Sequence, residues 1–126
     1  MADASLRYSK DHEWVKVEGD VAIIGITNYA QVQLGDIVYV ELPELSAELD
    51  KDEVACAVES VKTAADVLTP VSGTVAAINE DLEDQPELIN EDPYEAWIMQ
   101  IEMSDPTEVE SLMNEAEYAS YCEEEE

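Results

Sequence analysis

The sequence predicts a mainly β domain with short helices and a helical C-terminal segment. Three observations carry this. Seven apolar-rich runs of 5 to 7 residues recur along the chain, Gly, Pro, Asp or Ser turns separate them, and helix signals occur only in short or C-terminal stretches. A chain of 126 residues with 46% apolar content has the length of one domain and the material for one core, so a single unit over 1–126 is expected.

Trp14 to Glu18 and Val21 to Ile26 flank Gly19-Asp20, a two-residue loop suited to a tight hairpin. Thr27 is placed to cap a helix from Asn28 to Leu34, which Gly35 ends in a conformation that only glycine adopts cheaply. Asp36 to Leu42 reads as a strand closed by Pro43, followed by a link containing Leu45 and Leu49 and the turn Asp50-Lys51-Asp52. Val54, Cys56 and Val58 alternate with Ala55, Ala57 and Glu59, the period of a half-buried strand. Ala64 to Thr69 follows after only Ser60-Val61-Lys62-Thr63, so residues 54–69 form a hairpin with Lys62 at its tip. Pro70-Val71-Ser72-Gly73 is a turn, and Thr74 to Asn79 is the next strand. Residues 80–95 read as an acidic loop with at most one helical turn around Glu87 to Asn90, before a last strand from Trp97 to Glu102. Asp105-Pro106-Thr107-Glu108 has the layout of a capping box, opening helices over 105–122 ahead of an acidic tail at 123–126.

The formal charge is −27, from 32 acidic and 5 basic residues. All 5 basic residues and 13 of the acids lie in 1–62, so the second half carries 19 acids and no Lys or Arg. Such a field repels phosphate backbones and anionic headgroups, which excludes nucleic acid and membrane surfaces as expected partners. The first residues lack the basic-then-apolar layout of a signal peptide, no run approaches the ~20 apolar residues of a membrane span, and a cytoplasmic location is expected. Acid spread over both halves reads as adaptation of the whole surface to a salt-rich, halophilic cytoplasm, where a Debye length of about 3 Å screens self-repulsion. Asp81, Glu83, Asp84 and Glu87 lack calcium-loop spacing, and Cys56 and Cys122 lack metal-site spacing, so no metal and two reduced thiols are expected.

No GxSxG, phosphate loop, GxGxxG or HExxH is present, and the single His12 cannot build a histidine-rich centre, so the chain is not expected to be an enzyme. One residue stands out. Lys62 is a scarce positive charge at a hairpin tip, held between two strands as a ligase acylating one chosen lysine requires.

Glu59-Ser60-Val61-Lys62-Thr63-Ala64-Ala65-Asp66, followed by Pro70-Val71-Ser72-Gly73-Thr74-Val75, closely resembles the lipoylation segment of the glycine cleavage system H protein family. The resemblance runs from about Leu6 to Cys122 and includes Tyr8-Ser9-Lys10-Asp11-His12-Glu13-Trp14, Gly25-Ile26-Thr27-Asn28-Tyr29-Ala30-Gln31, Val40-Glu41-Leu42-Pro43-Glu44 and Pro86-Glu87-Leu88-Ile89-Asn90. It implies a barrel-sandwich hybrid of the biotinyl/lipoyl-carrier type, with lipoic acid in amide linkage on Lys62. It also implies partners: the pyridoxal-phosphate glycine decarboxylase, the tetrahydrofolate-dependent aminomethyltransferase, dihydrolipoyl dehydrogenase, and a lipoyl ligase or transferase. By the same resemblance His12 and Glu13 line the cleft that receives the loaded arm, a carboxylate there pairing with its amine, and Glu59 and Asp66 help the ligase recognise the hairpin. A monomer is expected.

The chain departs from the family at Ser46 and Asp52, where glycine is usual, at Glu95-Ala96, where a longer glycine-containing connection is common, and at Thr63, where alanine is usual. These departures bear on local loop geometry rather than on attachment at Lys62. Lipoyl domains of 2-oxo acid dehydrogenases carry Asp-Lys-Ala and biotin carriers Met-Lys-Met, and Val61-Lys62-Thr63 matches neither. An H-like lipoyl donor or relay in lipoate biosynthesis, or an unlipoylated binding paralogue, uses the same lysine and fold and stays open as an alternative.

Overall fold

The structure, a computed structural model, describes residues 6–125. The expectations for the first five residues and for Glu126 lie outside the described residues. Among the described residues, nine strands form two antiparallel sheets. β1 (Arg7–Tyr8), β2 (Glu13–Glu18), β3 (Val21–Ile26), β5 (Glu48–Leu49), β8 (Gly73–Ile78) and β9 (Met99–Met103) make a six-stranded sheet in the order β1-β2-β3-β9-β8-β5. β4 (Ile37–Glu41), β6 (Val54–Ser60) and β7 (Ala64–Leu68) make a three-stranded sheet in the order β4-β6-β7. The strands at the sheet margins, β1 and β5, are two residues long, too short to leave a period-2 pattern, and were not foreseen.

The main core combines residues of both sheets: Val15, Ile24 and Ile101 from the larger, Val40, Val58 and Val67 from the smaller, all nearly inaccessible to solvent. A second, aromatic cluster holds Leu6, Tyr8, Trp14 and Tyr118. Trp14 lies across Gly25, its cross-strand partner, where an added β-carbon would meet the indole at 2.6 Å. Its Nε1 donates to the Pro93 carbonyl at 2.9 Å.

Helix α1 (Asn28–Leu34) matches expectation, with the Thr27 side chain accepting from the Ala30 amide and Gly35 at φ 85° ending it. The acidic segment has more helix than expected: the turn around Glu87 to Asn90 is present, and a second turn precedes it. It contains two single-turn helices, α2 (Asp81–Asp84) and α3 (Leu88–Glu91), each anchored by one fully buried side chain, Leu82 and Ile89. Burial of these two apolar residues winds a segment whose acidity alone suggested a loop. The last strand starts at Met99 rather than Trp97, because the Trp97 carbonyl accepts from the Asn79 side chain instead of a ladder partner.

The C-terminal reading needs correction. Pro106–Ser111 is a 3-10 helix, and Asp105 caps it through the Thr107 amide, not that of Glu108. Glu108 is not a capping-box partner: its carboxylate accepts from the amide and hydroxyl of Ser72, so tertiary contact outcompetes the local box. Helix α4 runs Glu115–Glu125, so the helix continues through residues expected to form a tail.

Candidate functional site

β6 and β7 pair from Val54 with Leu68 to Glu59 with Ala64, leaving Val61, Lys62 and Thr63 outside the ladder. Ser60 builds the tip. Its amide and hydroxyl both donate to the Thr63 carbonyl (2.7 and 3.1 Å), and its Oγ accepts from the amides of Lys62 (3.3 Å) and Thr63 (3.1 Å). The tip also leans on the neighbouring strand, since the Val61 amide donates to the Asp36 carbonyl at 3.0 Å. Lys62 itself is exposed, and among the described residues no carboxylate is ion-paired with it. Its stem runs over Gly35, whose Cβ position lies 3.5 Å from Lys62 Cε.

Gly35 is held in turn by Asn90, whose side chain donates to the Gly35 carbonyl (2.9 Å) and to Gln31 (2.9 Å) while accepting from the Ile37 amide (2.8 Å). A single asparagine on α3 therefore locks the end of α1 to the start of β4, the bed on which the lysine stem rests.

Below the tip, a cleft of about 190 Å³ opens between α1, the hairpin and the 11–13 segment. Tyr29, Ala30 and Leu34 line it from α1 and Val58, Ala65 and Val67 from the hairpin; Asp11, His12, Glu13 and Asp66 add polar groups. Asp66 is four residues along the chain from Lys62, on the strand that leaves the tip.

Glu13 is 1% exposed and lies between strands of both sheets. Ser9 Oγ donates to its Oε1 at 2.6 Å and the Leu68 amide to its Oε2 at 3.2 Å. Burial dominates these bonds and, with the nearby Asp11 charge, pushes its carboxyl up to about 7. His12 adopts φ 67°, stacks on Tyr29 at 4.6 Å, and its Nδ1 is hydrogen-bonded to the Tyr118 hydroxyl at 2.7 Å. Glu59 and Asp66, both exposed, are diagonal neighbours on one face of the hairpin.

The structure thus brings His12 and Glu13 to one cleft whose lining includes Asp66, sets Lys62 at the hairpin tip, and places Glu59 on the same face of the hairpin as Asp66, three residues before the lysine. Sequence reasoning missed Ser9, Ser60, Asn90 and Tyr118. Ser60 carried a local signal, a hydroxyl two and three residues ahead of turn amides. Asn90 and Tyr118 carried none, because their partners are 53 to 106 residues away. Both cysteines are free, and burial, with Glu13 and other carboxylates nearby, pushes the Cys56 thiol up to about 12, so it offers no reactive thiolate to this site. Among the described residues, no group of three or more His, Cys, Asp and Glu side chains is arranged to hold a metal, and no helix is long and apolar enough to cross a membrane.

A family model described as glycine cleavage H-protein matches residues 6–125. The chain is 56% identical over 116 residues to the glycine cleavage system H protein of Bacillus cereus (strain AH187), covering 91% of each chain. It is 53% identical over 122 residues to that of Alkaliphilus oremlandii (strain OhILAs), covering 97% of this chain and 96% of the relative. Among solved structures, a glycine cleavage system H protein from Mycobacterium marinum superposes with a TM-score of 0.88 at 33% identity, covering 97% of this chain and 99% of that one. The two-sheet architecture is accordingly the barrel-sandwich fold of lipoyl domains, as the sequence led one to expect.

Proposed function

The chain belongs to the glycine cleavage H-protein family, and on that premise we propose that it is the non-catalytic carrier of the glycine cleavage system, bearing lipoic acid in amide linkage on Lys62. The observation that carries this reading is the placement of Lys62: exposed, without an ion-pair partner among the described residues, on a tip that Ser60 and Asp36 hold rigid. When bound, lipoate supplies a dithiolane that takes up the aminomethyl group of glycine and is later reoxidised.

The residues beside the lysine suit such a group. The Ala30, Leu34, Val58 and Val67 side chains offer an apolar track for an acyl chain, and the Glu13 carboxyl offers an acceptor for a cationic end. Glu13 would accept from the cargo amine, and a positive charge there favours its ionised form, so the pair strengthens itself on loading. His12 closes the wall beside it. Glu59 and Asp66 flank the lysine where a lipoyl ligase or transferase must read the hairpin.

Glycine decarboxylase, aminomethyltransferase and dihydrolipoyl dehydrogenase are the expected partners, each meeting the same tip on one monomeric, cytoplasmic carrier formed by the whole chain. The −27 charge is read as salt adaptation. Its structural support is the scarcity of pairing: between described residues the one ion pair is Lys16–Glu18 at 3.7 Å, so nearly every acid faces solvent uncompensated.

Intact-mass measurement of protein from its native cell, followed by incubation with glycine and the decarboxylase, tests the function. A lipoyl increment that disappears in Lys62→Arg, and glycine-dependent loading, are expected. Absence of the increment overturns the carrier assignment, and an increment without loading favours the relay alternative.

A further inference from the structure

We infer that Tyr118 is a positioning residue for the arm cleft: a single phenol hydroxyl on the C-terminal helix ties the His12 loop to the cap of α1 and so sets two of the cleft's walls in register. The inference rests on reading that cleft as the harbour of the loaded arm.

Each wall needs outside help. α1 has seven residues, too few for intrinsic stability, and none is fully buried, although Tyr29, Ala30 and Leu34 pack partly buried against the core. Its exact placement therefore leans on its ends as well as on this partial packing. Asn90 secures the C-terminal end, and at the other end lies Thr27, completely inaccessible to solvent. The His12 loop has its own difficulty, since a non-glycine residue at φ 67° is disfavoured and must be held by its surroundings.

Tyr118 reaches both. Its hydroxyl lies 2.6 Å from Thr27 Oγ1 and 2.7 Å from His12 Nδ1, linking residues 91 and 106 positions away in the chain. Thr27 already accepts from the Ala30 amide and donates its own amide proton to the His12 carbonyl, so cap, loop and phenol form one closed network. The phenol is fixed by stacking on Tyr8 at 4.6 Å and 8°, and Tyr8 is bonded through both its amide and its carbonyl to Met113. His12 then transmits the placement to the cleft lining through its stack on Tyr29. Stacking alone would serve packing equally well with phenylalanine; the two hydrogen bonds, both made to cleft walls, are what the hydroxyl adds.

The test uses Tyr118→Phe, which keeps the stack and removes the bonds. His12 is the only histidine of the chain, so its ring nitrogens give unambiguous resonances in the unmodified protein, independent of any cofactor. The Nδ1 resonance is expected to shift in Tyr118→Phe, and an unshifted signal overturns the inference. In lipoylated protein loaded by the decarboxylase, non-enzymatic release of ammonia is expected to quicken roughly fivefold, the equivalent of about one net hydrogen bond, while lipoylation of Lys62 proceeds at the parental rate. Unchanged release overturns it, as does equal slowing of lipoylation, which marks a general loss of fold. His12→Asn, which tolerates the same backbone conformation, is expected to match Tyr118→Phe, and the double variant to exceed neither. Additive effects overturn the linkage. If instead the parental protein releases ammonia as fast as the same group on free lipoamide, the arm is not sheltered, and the functional reading fails together with this inference.

Discussion

Gly35 lies beneath the stem of Lys62, with its Cβ position 3.5 Å from Lys62 Cε and its backbone at φ 85°. The residue that ends α1 is therefore also the bed of the Lys62 side chain. The distance is ordinary van der Waals contact, so a methyl group there meets the lysine without a clash, and the cost of adding one is in the backbone. Gly35→Ala is expected to lower stability by about 1–2 kcal/mol in urea unfolding while Lys62 still accepts lipoate. An unchanged urea midpoint would contradict the left-handed conformation.

Glu13 is expected to make stability depend on pH. Its folded-state carboxyl is raised from 4.5 to about 7, so between these values the folded protein binds the proton and the unfolded chain does not. Stability from this group is therefore fully present below pH 4.5 and lost as pH rises through about 7, by an amount on the order of 3 kcal/mol. Glu13→Gln removes that slope, so the variant gains on the parent between pH 4.5 and 8. Parallel profiles in chemical denaturation would contradict the burial of an ionisable group here. In loaded, lipoylated protein the same change is expected to speed loss of ammonia, because the amine loses its charged acceptor.

Ser46 and Asp52 hold φ 69° and 70°, the region glycine occupies freely, at the two loop positions where the family resemblance leads one to expect glycine. Their backbones follow the glycine path despite the substitutions. Ser46→Gly and Asp52→Gly are each expected to stabilise by up to about 1 kcal/mol, less at Asp52 because aspartate tolerates this region better. A thermal melt of each variant checks this, and a lower Tm would mean that the side chain contributes more than the strain removes.

Raising KCl from ~0.1 M to ~2 M shortens the screening length from about 10 Å to under about 3 Å. With 32 acids and one ion pair between described residues, the Tm is expected to rise by several degrees, at roughly 4 °C for each kcal/mol of repulsion relieved. Equal melting temperatures at the two salt concentrations would remove the basis for salt adaptation.

The sequence by itself determined what depends on near neighbours. The hairpin around Lys62, the Thr27 cap and the Gly35 stop are local patterns that appeared where they were expected, although the first strand runs on to Ser60, leaving three residues before Ala64, and a register shift turns Val54 out to solvent. The motif around Lys62 likewise located the tip. Tertiary structure decided the rest, because long-range partners override local preference. Buried Leu82 added a helical turn where the acidic segment was expected to be loop, and Ser72 drew Glu108 away from its own helix end. Only folding could bring Glu13, Asp66 and the α1 wall to one cleft, and only the packing of α4 against Tyr8 could deliver the Tyr118 hydroxyl to His12. The physical reason is the same throughout. A turn or cap is stabilised by atoms a few residues apart, whereas a cleft is made by side chains whose neighbours depend on how the two sheets meet.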